Sequence, residues 1–562
     1  MTWARETPLQ TSSAETIAAY SAKGWWSDRT ITDAFAEAVA DAGERIALVD
    51  APNRPDFAYG APRRLTFAQA ADEVRRLATV LTDLGVKPDD RVLVQLPNIA
   101  ELMLCYFAIA RLGAVISPVP MQYGRHELTH ITGLLRPVLF IAVGQFKGEK
   151  IAAKHHADFP AVKMAAFGPE SDGIAALDAL IANAKPATTK PTLSGNDIFT
   201  ICWTSGTTGR PKGVPRSHNH WFNQAVGMED GVALKKHDVM LNPFPFVNMA
   251  AISGFLYLWL TFRCTLVLHH PFELPVMLKQ LQEERVAYTV MPPAALNMLL
   301  QKKEMLAALD LSALHTICSG GAPLSPWMVK GYKDLLNIDV VNTFGSNEGV
   351  ALVSSGREVP DAEDRALYFP RFGVEGVPWS NRVSARIKTK LVDPATGEVV
   401  TERGRQGELL IKGPNVFDGY LDSPEDNAQV FDSEGYFRSG DLLEIAGDSE
   451  PPRFYRFVGR CKDIIIRGGM NISPEELDGL LITHPSLAEV ATFGVPDEVM
   501  GERVCVAVVP KPGAAITLDE IKAHLKQAGV AIFKWPEKMI EVPALPRNAL
   551  GKILRAELKQ RV

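Results

Sequence analysis

Hydrophobic residues in the first half of the chain alternate between two periods. Residues 66–84 (TFAQAADEVRRLATVLTDL) carry apolar side chains at helical spacing and predict an amphipathic helix. Residues 91–96 (RVLVQL) form a short β-rich run that Pro97-Asn98 stops. Residues 100–112 read as a helix ending at Gly113, and 115–119 as the next buried strand. The pattern recurs at 266–268, 274–284 and 288–291. Strand, helix, strand in this order predicts parallel α/β units. No short-period repeat or low-complexity tract is present.

The tail has a different texture. Residues 454–458 read as a strand that Gly459-Arg460-Cys461-Lys462 interrupts, and 463–466 resume a β-rich run. Ser473-Pro474-Glu475-Glu476 predicts a helix start, with serine as cap, proline in the first turn and Glu476 closing a capping box. Thr517 and Glu520 repeat that signature, with strands at 490–495 and 504–509 between. This predicts a small α+β domain of about 100 residues.

Composition sets wider bounds. A chain of 562 residues is expected to hold two to four domains or subdomains. Its 46% hydrophobic and 22% charged residues suit a globular protein with a large core. The net charge of -6 argues against nucleic acid or anionic lipid as partner. Six scattered cysteines without a C-x-x-C pair argue against a disulfide framework or zinc site, and a cytoplasmic location is expected. The opening residues have no basic region followed by an apolar run, so no signal peptide is expected. The apolar stretch 254–262 falls far short of the ~20 residues of a spanning helix and predicts core burial.

The sharpest local feature is Thr204-Ser205-Gly206-Thr207-Thr208-Gly209-Arg210-Pro211-Lys212-Gly213, after the β-rich run 198–203. Its glycines permit close backbone approach to a ligand, and hydroxyls, N–H groups and Lys212 suit phosphates. The P-loop spacing is not met. On composition alone the segment reads equally as a surface loop.

This string matches the signature of the adenylate-forming superfamily, which includes acyl-CoA synthetases, firefly luciferase and peptide-synthetase adenylation domains. The resemblance runs from about residue 65 to 552, with the motifs in order. It implies an α/β fold: a large N-terminal domain of layered α/β subdomains (1–458) with ATP and acyl sites, a hinge (459–462), and a small mobile α+β lid (463–562). It also implies ATP, Mg²⁺ and CoA as cofactor and co-substrates, and activation of a small-molecule carboxylic acid. A homodimer stays open.

By resemblance, Gly320, Gly321 and Ala322 in Ser319-Gly-Gly-Ala-Pro-Leu line the adenine and acyl sites. In Asn342-Thr343-Phe344-Gly345-Ser346-Asn347-Glu348-Gly349, Phe344 stacks near adenine and Glu348 holds Mg²⁺. Asn347 replaces the family's usual threonine, and its amide can still donate. Asp441, in Tyr436-Phe-Arg-Ser-Gly-Asp, is expected to accept from both ribose hydroxyls, and Arg460 to contact the ribose. Lys462 falls at the hinge. Arg467-Gly468-Gly469 is expected along the CoA path, and Lys552, in Pro546-Arg-Asn-Ala-Leu-Gly-Lys, is the lid lysine.

The acyl-pocket segment corresponds to residues 242–250, with Phe246, Val247 and Asn248 as candidate lining. No aspartate lies between Asn242 and Tyr257, which argues against an amino-acid substrate because its ammonium would be unpaired. Phe246 and Val247 read equally as core. Asn248 stands where hydroxybenzoate-activating relatives have an asparagine. Together with Tyr20, Gly24-Trp25-Trp26 and Gly413-Pro-Asn-Val, these features resemble bacterial short- and medium-chain fatty acyl-CoA ligases and dihydroxybenzoate-AMP ligases. The expected reaction is CoA ligation of a fatty, alicyclic or aryl monocarboxylic acid. The alternative is an aryl-AMP ligase that loads a carrier protein. A non-catalytic binding relative or a luciferase-like oxygenase is a different class, against which intact Lys212, Glu348, Asp441, Arg460 and Lys552 speak.

Overall fold

The computed structural model describes residues 10–169, 171–205, 211–467, 470–497, 499–547 and 551–562. The chain divides into two compact units. The first comprises Met1–Ala366, Pro378–Lys388 and Lys412–Phe437. The second comprises Leu367–Val377, Thr389–Ile411 and Arg438–Val562, so the expected hinge and lid both fall inside it.

Two α/β sheets build the first unit. The eight-stranded sheet runs in the order Ala351–Ser354, Asp339–Gly345, Thr316–Gly320, Tyr288–Val290, Val239–Asn242, Thr265–Leu268, Ile46–Val49, Arg64–Thr66. Its inner strands pair in parallel and its two edge strands are antiparallel. The seven-stranded sheet contains Arg91–Gln95, Val115–Pro118, Leu139–Val143 and Ile198–Ser205 in parallel, with Pro211–Ser217 antiparallel at its edge.

The periodic helices lie where the sequence predicts them. Phe67–Asp83 starts on Thr66, whose capping box with Gln69 satisfies two orphan backbone donors. Its buried face (Phe67, Ala70, Val74, Leu77, Leu81) packs beside the almost wholly buried helix Ala100–Arg111. The apolar stretch at 254–262 is core: Phe255, Leu258 and Trp259 are buried, and the π-helix Ile252–Leu256 leads into Tyr257–Phe262. Among the described residues no helix is long and apolar enough to cross a membrane.

The second unit holds a six-stranded sheet and a five-stranded sheet. In the first, Phe454–Arg460 pairs antiparallel with Phe437–Ala446. The strand therefore continues through Gly459 and Arg460 rather than breaking at 459, because Leu442↔Gly459 and Asp441↔Arg460 are still in register. In the second, Leu487–Asp497 and Gly501–Pro510 form a long antiparallel pair whose apolar face packs on Pro474–Leu481 and Leu518–Gln527. Thr517 and Glu520 complete their capping box. Ser473 accepts from Glu476 N–H, but Glu476's carboxylate pairs with Lys534 at 2.7 Å instead of returning to the cap.

Candidate active site

Three motif segments of the first unit leave the carboxyl edge of one parallel sheet. Val239–Asn242 runs into the segment that the resemblance assigns to the acyl pocket, Thr316–Gly320 into Gly321-Ala322, and Asp339–Gly345 into Ser346-Asn347-Glu348. The crevice at such an edge is where open α/β sheets take ligands. Gly320 is required by the sheet itself: a Cβ there would lie 2.0 Å from Thr343 O. Gly321 has φ +77°, a left-handed conformation that only glycine takes without strain, and open space beside it. Gly321 and Ala322 are exposed.

The strands on either side of each signature loop pair antiparallel, a feature the sequence did not reveal. Ser205 pairs with Pro211 and Thr204 with Lys212, so the phosphate-type loop closes an antiparallel pair. Gly206, Thr207, Thr208 and Gly209 lie outside the described residues, as does the Ser205 side chain. Lys212 is mostly buried and its Nζ reaches Asp426 Oδ1 at 2.6 Å, above the Tyr420 ring at 5.0 Å. In the second hairpin Gly345 pairs with Ala351, which sets Glu348 at the tip. A Cβ at Gly345 would lie 2.5 Å from the backbone oxygen of Val350, so only glycine fits there.

Within residues 342–349 the side chains divide their work. Asn342 donates to the carbonyls of Arg365 (3.2 Å) and Ala366 (2.9 Å), and Thr343 to Ser319 O (3.1 Å), so both brace the sheet. Phe344 is half-buried. Ser346 Oγ is buried with no hydrogen-bond partner among the described residues. Asn347 accepts from Met249 N–H at 2.8 Å, and its amide faces Trp203 O at 3.5 Å. The asparagine that departs from the family pattern thus ties the hairpin to the acyl-pocket segment. Glu348 is buried, accepts from Tyr420 Oη at 2.9 Å, and forms no ion pair among the described residues. Burial and the Glu348 carboxylate push the Tyr420 hydroxyl pKa up, which keeps it a donor.

The acyl-pocket segment is held from outside. Asn98 donates to Phe244 O at 2.8 Å and accepts from Phe246 N–H at 3.2 Å, while Tyr106 Oη donates to Phe246 O at 2.6 Å. Phe246 and Val247 are buried. Asn248 is half-buried and caps the short helix Met249–Ala251 through its side-chain oxygen. Asn98, Tyr106, Tyr420 and Asp426 were missed by sequence reasoning, which took Asn98 only as part of a strand stop.

In the second unit Asp441 and Arg460 face each other across neighbouring strands, Arg460 Nε to Asp441 Oδ1 at 3.3 Å. Asp441 is buried; its N–H bonds Ser439 Oγ at 3.1 Å, and Gly440 N–H bonds Glu408 at 3.1 Å. Lys462 is exposed in a tight turn, where Asp463 and Ile464 N–H groups both bond Arg460 O. Arg467 forms a two-pronged pair with Glu537 at 2.9 and 3.0 Å, and Gly468 and Gly469 lie outside the described residues. Lys552 is exposed beside Gly551, whose φ is +80°. Leu554 N–H bonds Pro546 O at 2.8 Å and Arg547 bonds Gly551 O at 2.8 Å, which pinches the base of this loop. Arg555, three residues on, is anchored by Asp478 (2.6 Å), Glu475 (3.1 Å) and Thr492 O (2.9 Å).

Known proteins agree with this architecture. The AMP-binding enzyme model matches residues 35–421, and the AMP-binding enzyme C-terminal domain model residues 476–552. A salicyl-AMP ligase / salicyl-S-ArCP synthetase of Mycobacterium tuberculosis is 30% identical, over 96% of this chain and 92% of that protein. A medium-chain fatty-acid–CoA ligase of Escherichia coli is 28% identical, over 97% and 92%. ATP-bound MatB from Rhodopseudomonas palustris superposes with TM-score 0.78 at 26% identity, covering 95% of this chain and 99% of that one. Fold and site thus define an ATP-dependent adenylate-forming enzyme, an AMP-forming acid–thiol ligase. The chain belongs to the AMP-binding enzyme family.

Proposed function

We propose that the protein joins an uncharged-tail monocarboxylic acid to coenzyme A, through an acyl-adenylate made from ATP with release of pyrophosphate. The observation that carries the reading is the Glu348 hairpin: a buried carboxylate with one donor on it, beside the carboxyl-edge loops. That donor set suits Mg²⁺, which is commonly held by one or two carboxylates plus substrate phosphates. Bound there, Mg²⁺ supplies charge neutralisation at the phosphates.

A carboxylate is a poor electrophile, and attack on the α-phosphate exchanges oxide for AMP as leaving group. Lys212 and the N–H groups of its hairpin hold the phosphates, so Asp426 must release the ammonium when ATP binds. Ser346's unmatched hydroxyl is a further donor toward the nucleotide. Gly320, Gly321, Ala322 and Phe344 bound the adenine, and Asp441 and Arg460 take the ribose hydroxyls. Lys552 stabilises the charge that develops during adenylation and is dispensable afterwards. Rotation about Lys462, between residues 1–458 and 463–562, then brings Arg467-Gly468-Gly469 to the thiol's path.

The acid is read from residues 246–248. Phe246 and Val247 are apolar, and no acidic residue lies between 242 and 257. Burial of each methylene is worth about 0.8 kcal/mol against such a wall, and an ammonium would go unpaired. Pyrophosphate release should favour hexanoate, octanoate, cyclohexanecarboxylate or benzoate over phenylalanine; fastest turnover on phenylalanine would reject the pocket. The second reading is an aryl-AMP ligase loading a carrier-protein thiol. It is favoured by Asn248's amide and by likeness to the salicyl-AMP ligase.

A further inference from the structure

Arg216 is fully buried and has no carboxylate within ion-pair distance among the described residues. Its guanidinium instead donates to backbone carbonyls of three segments: Asn347 O at 2.9 Å, His220 O at 3.2 Å, and Asn415 O in a short bond. The Trp221 ring lies under it at 4.3 Å. Burying a cation with no opposing charge is costly, and these hydrogen bonds offset only part of that cost. Burial lowers its pKa to about 10, which still leaves it charged at neutral pH.

Two of those carbonyls flank Glu348. Asn347 is the preceding residue, and the loop containing Asn415 holds the other side. Asn415's amide donates to Gly349 O at 2.6 Å, Phe417 N–H to Glu348 O at 2.9 Å, and Tyr420 Oη to the carboxylate itself. A Cβ at Gly349 would lie 2.3 Å from Asn415 O, so hairpin tip and loop are in backbone contact. Arg216 adds a donor to the backbone of each side, to Asn347 O and to Asn415 O. Trp26 adds an outer tie, with Nε1 on Pro414 O at 3.1 Å.

We infer that Arg216 is a positioning residue for Glu348: it clamps residues 347–349 to residues 415–420 and so fixes the carboxylate for the metal that accompanies ATP. This rests on the assignment of Glu348 to Mg²⁺ made above. Methionine at 216 would leave three carbonyls without their donor, and lysine would keep the charge but not the fork.

The test is calorimetric titration of the full-length enzyme with ATP, without acid, in Mg²⁺ and in EDTA. The ratio of the two affinities reports the metal's contribution without turnover. Arg216→Met should reduce that ratio at least about fivefold and leave the EDTA affinity within about twofold. Arg216→Lys should recover part of the ratio. Thioester formation from pre-made acyl-adenylate should persist in both variants, which reports an intact fold. If both variants keep the wild-type ratio, or lose ATP affinity equally with and without Mg²⁺, the inference is overturned. If methionine abolishes folding, the lysine variant alone decides by the same criteria. Glu348→Gln separates the premise: a wild-type ratio in that variant removes the role of Glu348, whereas a lost ratio there with intact Arg216 variants removes only the role of Arg216.

Discussion

Asp426 holds the Lys212 ammonium at 2.6 Å, on the hairpin whose tip carries the family's phosphate signature. The lysine assigned to ATP phosphates is therefore occupied by an internal anion. Asp426's side chain is 38% exposed, so the pair is worth no more than about 1 kcal/mol. Asp426→Asn should lower the KM for ATP about two- to fivefold with little change in kcat. An increase in KM would mean that the aspartate aims Lys212 rather than competing for it.

Lys552 sits on a loop pinched at its base by Pro546, Arg547 and Leu554 and anchored by Arg555. Lys552→Ala should abolish acid-dependent ATP–pyrophosphate exchange and retain much of the thioester formation from pre-made acyl-adenylate. Equal loss in both assays would show that the lysine serves both half-reactions or the fold.

Proline at 462 removes a donor and fixes φ in the turn joining Phe454–Arg460 to Ile465–Arg467. Lys462→Pro should spare adenylation and slow transfer to CoA about tenfold or more. Unchanged transfer from acyl-adenylate would place the pivot elsewhere.

Burial holds three histidines of the first unit, His155, His220 and His270, neutral, with pKa lowered to about 4 from 6.5. An unfolded chain protonates them at 6.5, so their contribution to stability is complete above that pH. It is lost as pH falls from about 6.5 toward 4. On unfolding near pH 5 these groups should take up as many as about three protons from solvent. Thermal midpoints measured from pH 7.5 to 5 should decline accordingly, and a flat profile would contradict the burial of these imidazoles.

The parallel α/β core was legible because its signals are local. Thr66 with Gln69, and the periodic face of Phe67–Asp83, need no knowledge of distant residues. Thr517 and Glu520 were read correctly for the same reason. Glu476 left its expected cap because Lys534, 58 residues away, offers a stronger charge partner. Gly459 and Arg460 stayed in a strand because distant pairing with Phe437–Ala446 outweighed the local break. Motif residues such as Glu348 and Asp441 could be named from resemblance. Their supports could not: Asn98 reaches Phe246 across 148 residues, and Arg216 reaches Asn415 across 199. Such contacts leave no periodic trace in the sequence.

The most direct test is full turnover with the best acid of the panel, ATP, Mg²⁺ and free CoA, with AMP, pyrophosphate and thioester all quantified. An acid:CoA ligase should yield the three products in equal amounts, with none formed when the acid is omitted. Acyl-adenylate that forms while free CoA stays unconsumed would contradict CoA as acceptor and turn the assignment to carrier loading.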